Sequence, residues 1–251
     1  MERAASSLAQ AHALVILSGA GVSKESGVPT FRDAQTGLWA TYDPQELATP
    51  QAFRRDPELV WRWYDYRREL VAGVQPNAGH LALAELERFI PRVVVLTQNV
   101  DGLHQAAGSS DVVELHGNIA RNRCFADCHG SPTLIDLGTL PGRSRDASPP
   151  RCPRCGAHIR PDVVWFGEPL PEAALQRAFA VSGKCDVMLV VGTSGVVYPA
   201  AALPSIARQG GGVVIEVNPE PGGITPIANT FLRGPGGRIL PGLVEALKAA
   251  S

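Results

Sequence analysis

Net charge is nearly absent from this 251-residue chain: 23 basic and 24 acidic side chains leave a formal −1, and charged residues make up only 19%. That balance excludes a protein built to wrap a nucleic-acid backbone, which needs concentrated positive charge. The arginines at 54–68 and 151–160 read as solvated faces. Long hydrophobic runs are lacking too. The apolar stretch 187–191 meets glycine at once, so no segment suits a bilayer crossing. Nor is there a basic-then-apolar leader, since residues 11–17 run into a glycine loop and not a cleavage site. A cytoplasmic protein with no membrane and no specific nucleic-acid partner is expected. Cysteines number five, too few for a disulfide framework at this length. The G-K-[ST] triplet is missing, which excludes a Walker phosphate loop and makes ATP or GTP hydrolysis unexpected. What remains is an ordinary globular composition, 45% hydrophobic, long enough for one α/β domain and a small module.

Four short apolar runs, many of their residues β-branched, stand out at 12–18, 93–97, 186–191 and 213–217. Helix-capable stretches lie around them at 57–73, 77–89, 171–181, 198–209 and 241–249, with Pro199 expected in the first turn of its helix. Alternating strand and helix predicts a mostly parallel sheet, and continuous apolar strands predict burial on both faces. Each run ends in small or polar residues: Gly19-Ala20-Gly21, Gln98-Asn99-Val100-Asp101, Gly192-Thr193-Ser194 and Asn218. Ligands of open parallel sheets bind at the carboxyl ends of strands. The four ends are therefore expected to converge on one nucleotide. The predicted fold is a Rossmann-like domain over 1–32, 77–119 and 162–251. A smaller discontinuous domain is expected from a helical module at 33–76 and a zinc-binding module at 120–161, with a cleft between the domains for substrate.

Cys124-x3-Cys128 and Cys152-x2-Cys155 form two close pairs. Four thiolates fit a tetrahedral zinc ion and leave no open position for water, so the expected Zn²⁺ is structural. The intervening segment has too few apolar residues to fold unaided, and metal binding can supply that energy. His129 and His158 are expected beside the site, and Cys185 as a buried small apolar residue.

The loop Gly19-Ala20-Gly21-Val22-Ser23 opens like a dinucleotide fingerprint, but Lys24 occupies the position of the last glycine of G-x-G-x-x-G. The acidic ribose ligand of dehydrogenases has no clean counterpart, since Asp33 falls in an aromatic loop. Together these discourage hydride transfer. The motifs as a set resemble the sirtuin family of NAD-dependent protein deacylases. The resemblance rests on residues 19–23 and 25–32, Thr97 to His104, Glu114-Leu115-His116-Gly117, the cysteine pairs, the stretch 161–168, Gly192-Thr193-Ser194 and Val217-Asn218-Pro219. It spans nearly the whole chain and suggests a catalytic core without regulatory tails, expected to be monomeric.

The resemblance implies roles. NAD would be the co-substrate and acyl-lysine proteins or peptides the partners. His116 would be the general base acting through the nicotinamide ribose hydroxyls. Gln98, Asn99 and Asp101 would line the nicotinamide and ribose pocket. Ala20, Phe31 and Arg32 would belong to the cofactor loop, Gly19 and Gly21 would face the phosphates, and Ser23 would also bind the cofactor. Ser194 and Asn218 would hold the adenosine side, with the stretch 234–236, Gly236 included, near adenine, and Gly192 and Thr193 would also bind the cofactor. Val163, Val164, Trp165 and Phe166 would border the acyl-lysine channel, and Gly195, Val196 and Val197 would pair with the substrate peptide by strand addition. Independently, a histidine's free pKa of about 6.5 suits proton abstraction near neutrality. His80 and His104 are read as structural, and His12 as lying at the surface or a strand edge.

Tyr64-x-x-Arg67 resembles the pair that marks the family's class acting on succinyl- and malonyl-lysine. Three residues apart on a helix, the two share a face, and a guanidinium fork matches a carboxylate. Ala34 is expected to widen the acyl pocket, and Arg62 and Arg68 to face solvent. Four other readings stay open here: an enzyme that is mainly a deacetylase, a mono-ADP-ribosyltransferase, a dehydrogenase, and a non-enzymatic NAD-sensing zinc protein.

Overall fold

The computed structural model describes residues 1–29, 42–140 and 148–250. Its strands are β1 (Ala13–Ser18), β2 (Arg92–Thr97), β3 (Val112–Glu114), β4 (Gly117–Cys124), β5 (Ile159–Val163), β6 (Val187–Val191), β7 (Val213–Asn218) and β8 (Thr230–Arg233). The chain divides into two compact units. One comprises Met1–Thr30, Val74–Leu115 and Glu172–Ser251, the other Phe31–Gly73 and His116–Pro171. The second unit takes in residues 116–119 and 162–171, which the sequence reading assigned to the sheet domain. They belong there because β4 pairs antiparallel with β5, Gly117 opposite Val163, and not with the sheet.

The first unit is a six-stranded parallel sheet in the order β3-β2-β1-β6-β7-β8. Ile16 on β1 sits between Val95 on β2 and Leu189 on β6. Alternate residues point to opposite faces, and both sets are buried: Leu14, Ile16, Val95 and Leu189 on one, Val15, Leu17, Val94 and Val190 on the other. Leu8, Leu83, Leu86, Leu240, Leu243, Val244 and Leu247, from helices and turns, close over the first face. This is the Rossmann-like arrangement expected from four continuous apolar runs. The strand order reverses between β1 and β6, which puts the topological switch point there.

Two helices differ from the sequence reading. Pro199 caps a short 3-10 turn, Ala200–Ala202, and the α-helix begins only at Leu203. The last helix starts at Gly236, well before 241, with Pro241 inside it. Its early start is supported from a distance, because the Glu25 carboxylate accepts the Gly237 N–H at 2.7 Å. An anion there also suits the positive end of the helix dipole.

In the second unit the helices Pro44–Leu47, Pro50–Arg55 and Pro57–Ala72 begin alike. Asp43, Thr49 and Asp56 each accept a backbone N–H with the side chain, and a proline follows in the first turn. Proline loses nothing there, because that N–H has no helical partner. Trp61, Cys124, Ile135, Leu140, Cys152 and Ile159 form a small core.

Candidate functional site

The carboxyl edge of the parallel sheet gathers most of the polar residues named from sequence. After β1 the chain turns at Gly19, whose N–H bonds to Val191 O at 3.0 Å, and Gly21 N–H bonds to Gly192 O at 2.8 Å. A Cβ on Gly21 would lie 2.7 Å from Gly192 O. One on Gly192, whose φ is +60°, would lie 2.4 Å from Val22 N. Only glycines allow the two loops to approach this closely. After β2, Gln98 Nε2 donates to Thr193 Oγ1 at 3.0 Å. Asn99 Nδ2 donates to Gly19 O at 3.2 Å and Ser23 Oγ at 3.0 Å, and Ser23 Oγ donates to Asp101 Oδ2 at 2.7 Å. After β7, Asn218 Nδ2 donates to Thr193 O at 3.1 Å. Ser194 O accepts Gly223 N–H at 3.1 Å. Gly236 opens the last helix and abuts Val22 and Val191. Ala20 begins the turn after Gly19. Gly195, Val196 and Val197 follow on the same loop, with both valines exposed. Phe31, Arg32 and Ala34 lie outside the described residues.

This edge fits a dinucleotide. The glycine cradle would be filled by any Cβ, backbone N–H groups cluster at a strand-to-turn junction, and fixed amides and one carboxylate stand beside it.

Beneath the edge lies a polar layer. His104 Nε2 meets Ser18 Oγ at 2.8 Å, Ser18 Oγ donates to Thr97 Oγ1 at 2.9 Å, and Thr97 Oγ1 accepts Asn99 N–H at 3.0 Å. His80 Nε2 lies 3.4 Å from Ser23 Oγ, and the His80 and His104 rings stack edge-on with centroids 5.0 Å apart. Both imidazoles are buried. Burial pushes the His104 pKa down to about 3, and the neighbouring His80 lowers it further. Burial also lowers the pKa of His80, against the pull of Asp101 and Glu25.

In the second unit His116 is half-buried, and its carbonyl accepts Val164 N–H at 2.9 Å. The adjoining Gly117 has φ +79°, and a Cβ on it would fall 2.1 Å from Asp162 O. The glycine is thus required for β4 and β5 to meet beside His116. Val163 and Trp165 are buried and Phe166 is exposed. Tyr64 is buried and accepts the indole Nε1–H of Trp165 at 2.9 Å. Arg67 lies on the same helix with its guanidinium carbon 5.1 Å from the Trp63 ring centre. Burial lowers the Arg67 pKa, opposed by Tyr64. Arg62 is exposed, as expected. Arg68 is not solvent-facing. It bonds Ile119 O, Asp65 and Asn122 Oδ1 and lies over Trp61, because its side chain spans from the helix to β4.

The four cysteine sulfurs all lie within 4.8 Å of one another, with Cys124 and Cys155 3.5 Å apart and Cys128 and Cys152 3.9 Å apart. A tetrahedral zinc with bonds of about 2.3 Å requires sulfur spacings of roughly 3.8 Å. The residues therefore fit a Cys₄ zinc site. The extra residue of the first pair is absorbed at Asp127, which has φ +45° and is held by Arg123, Ser131 Oγ and Thr133 N–H. Aspartate visits that region at little cost. Cys185 is buried, with its thiol on Ser182 O.

Residues 19–199 match the model of the Sir2 family. The chain belongs to the Sir2 family. It is 53% identical over 245 residues to the NAD-dependent protein deacylase of Thermococcus kodakarensis, covering 98% of this chain and 95% of that one. It is 52% identical to NAD-dependent protein deacylase 1 of Pseudomonas aeruginosa, covering 95% of each. A solved Sir2 homolog–NAD complex superposes with a TM-score of 0.89 at 46% identity, covering all of this chain and 94% of the other. A Sir2 structure with deacetylated p53 peptide and 3′-O-acetyl-ADP-ribose gives a TM-score of 0.84 at 33% identity, covering 98% and 97%.

Within this Sir2 chain, sequence reasoning underrated the layer formed by Ser18, Thr97, His80 and His104. The available signal was polar residues closing two otherwise apolar strands. Arg160 and Glu168 were missed as a pair, although both fall in or beside a recognised motif.

Two outcomes follow for the Sir2 chain. Elemental analysis should find one zinc per chain, and Cys152→Ser should lose it and lower the melting temperature, since Cys124 and Cys152 also belong to the small core. The second concerns pH. The unfolded chain protonates His104 near 6.5, whereas the fold holds it neutral down to about 3. Between those values the unfolded state binds more protons, so stability falls as pH drops below 6.5 and goes on falling toward 3. Urea denaturation should give His104→Gln a shallower loss than wild type between roughly pH 7 and pH 5, by up to about 1.4 kcal/mol per unit. Equal slopes would place the titration elsewhere.

Proposed function

We propose that this chain is an NAD-dependent protein-lysine deacylase that prefers acidic acyl groups, succinyl and malonyl, and accepts acetyl more weakly. The observation that carries the first part is the cluster of Gly19, Gly21, Gln98, Asn99, Asp101, Thr193 and Asn218 at one sheet edge, in a chain of the Sir2 family. Bound NAD would supply an activated ribosyl carbon, with nicotinamide as the leaving group, to which the acyl oxygen of the substrate adds. The glycine cradle would hold the pyrophosphate on backbone N–H groups. Gln98, Asn99 and Asp101, already locked by Thr193 and Ser23, would orient the nicotinamide end without having to order themselves on binding. His116 would take a proton from the ribose diol. Val163, Trp165 and Phe166 would border the acyl-lysine channel, and Gly195 to Val197 would offer backbone to the peptide. The cysteine-held zinc would keep the small unit folded and take no part in bond making. The reading goes with a cytoplasmic monomer, where thiols stay reduced and available as ligands.

The acyl preference is supported by Tyr64 and Arg67. A buried phenol whose pKa is raised to about 12, chiefly by burial, stays a neutral donor. Beside it, the partly buried guanidinium of Arg67 would match a carboxylate.

With NAD and matched succinyl-, malonyl- and acetyl-lysine peptides, mass spectrometry should detect nicotinamide release and deacylated peptide, fastest for the acidic groups. His116→Ala should abolish acyl transfer. Arg67→Met should lower kcat/KM for succinyl peptide roughly 100-fold, the scale of one charge-assisted hydrogen bond, and affect acetyl peptide far less. Equal losses on both peptides would defeat the preference, and ADP-ribose left on protein would point to mono-ADP-ribosyl transfer.

A further inference from the structure

The second unit contains a polar circuit that ends at Tyr64. Arg160 is 2% exposed. Its Nη1 donates to Glu168 Oε1 at 2.5 Å, and its Nη2 to Glu168 Oε2 at 3.0 Å and Val163 O at 2.6 Å. The same guanidinium lies over the ring of Trp165, its central carbon 3.2 Å from the ring centre. Glu168 Oε2 also accepts the backbone N–H of Trp165 at 2.8 Å. Trp165 is thus held at its backbone by Glu168 and across its face by Arg160. Its one polar side-chain atom is directed to Tyr64 Oη, 2.9 Å away.

The direction of that last bond matters. An indole N–H can only donate, so Tyr64 is the acceptor. The phenol's own hydrogen must then point away from Trp165. Among the described residues no side chain or carbonyl takes it. A cation over the indole face draws electron density from the ring and strengthens the N–H as a donor. A purely packing role for Trp165 would need neither the stacked cation nor the bond to Tyr64.

We propose that Arg160 and Trp165 are positioning residues for acyl selection: they fix Tyr64 Oη as an acceptor on one side so that its hydrogen is presented to the carboxylate of an acidic acyl group. This rests on Tyr64 and Arg67 being the acyl-carboxylate pair.

Trp165→Phe tests it, because a smaller aromatic ring remains against Arg160 while the N–H goes; Arg160→Gln is the harsher variant and risks the fold. Melting temperature checks that each variant is folded. Calorimetric Kd values for succinyl- and acetyl-lysine peptides without NAD, and KM and kcat with it, give the selectivity. The preference for succinyl, read as the acetyl-over-succinyl ratio of Kd and of KM, should fall about tenfold in Trp165→Phe, the scale of one weakened hydrogen bond to a charged group. In a Tyr64→Phe background the same change should move the ratio less than about twofold, since it acts through the hydroxyl. If Tyr64→Phe collapses the ratio and Trp165→Phe does not, the relay is wrong and the acyl-carboxylate pair stands. If Tyr64→Phe leaves the ratio untouched, the pair fails and the relay with it. Equal weakening of both peptides by Trp165→Phe would make Trp165 a channel wall only.

Discussion

Two loops cross within hydrogen-bond distance where the parallel sheet reverses its strand order, and the first unit's arrangement depends on that crossing. Gly21 N–H on Gly192 O, and Gly19 N–H on Val191 O, tie the end of β1 to the end of β6. Neither contact survives a side chain on Gly21 or Gly192, whose added carbons would sit 2.7 and 2.4 Å from backbone atoms. The close approach leaves Thr193 where its hydroxyl meets Gln98 and its carbonyl meets Asn218. Side chains from three strand ends are thereby fixed relative to one glycine turn. A site assembled this way needs little ordering when a ligand arrives, which is the physical content of preorganisation.

That rigidity has a cost in buried polar groups. Ser18, Thr97, Asn99, His80 and His104 lie in the interior under the edge. A buried group without a partner costs a few kcal/mol, so the layer persists only as a bonded chain from His104 through Ser18 and Thr97 to the Asn99 backbone. The imidazole is confined to its neutral form, and His104 Nδ1 has no hydrogen-bond partner among the described residues. A charged imidazole there would be opposed by desolvation and by its ring neighbour His80.

The sheet was legible because its strands are buried on both faces, which writes them as unbroken apolar runs. β3 and β8 were not, at three and four residues too short to make such a run at the sheet's edges. The early start of the last helix was hidden for another reason. Its N-terminal support is Glu25, 212 positions away, whereas the local sequence of glycines and a proline argues for a loop. At the site, residue types at strand ends named Gln98, Asn99 and Asp101, but nothing local identified which would bond which. Arg68 illustrates the limit: charge and composition assign it to solvent, while the carbonyls of Ile119 and Arg121 claim its guanidinium.

Arginine is used in two ways within the second unit, and the contrast bears on selectivity. Arg160 has its counterion built in, a two-point pairing with Glu168 that satisfies the charge before any ligand arrives. A buried ion pair of this kind adds little net stability over an apolar filling, but removing one partner is severe, so its value lies in fixing geometry. Arg67 stands beside Tyr64, a phenol that burial holds protonated. Glu168 is committed to Arg160 and to the Trp165 backbone. That carboxylate therefore stiffens the aromatic wall. On the acyl preference proposed above, discrimination would rest on a substrate carboxylate reaching the helix face that carries Tyr64 and Arg67.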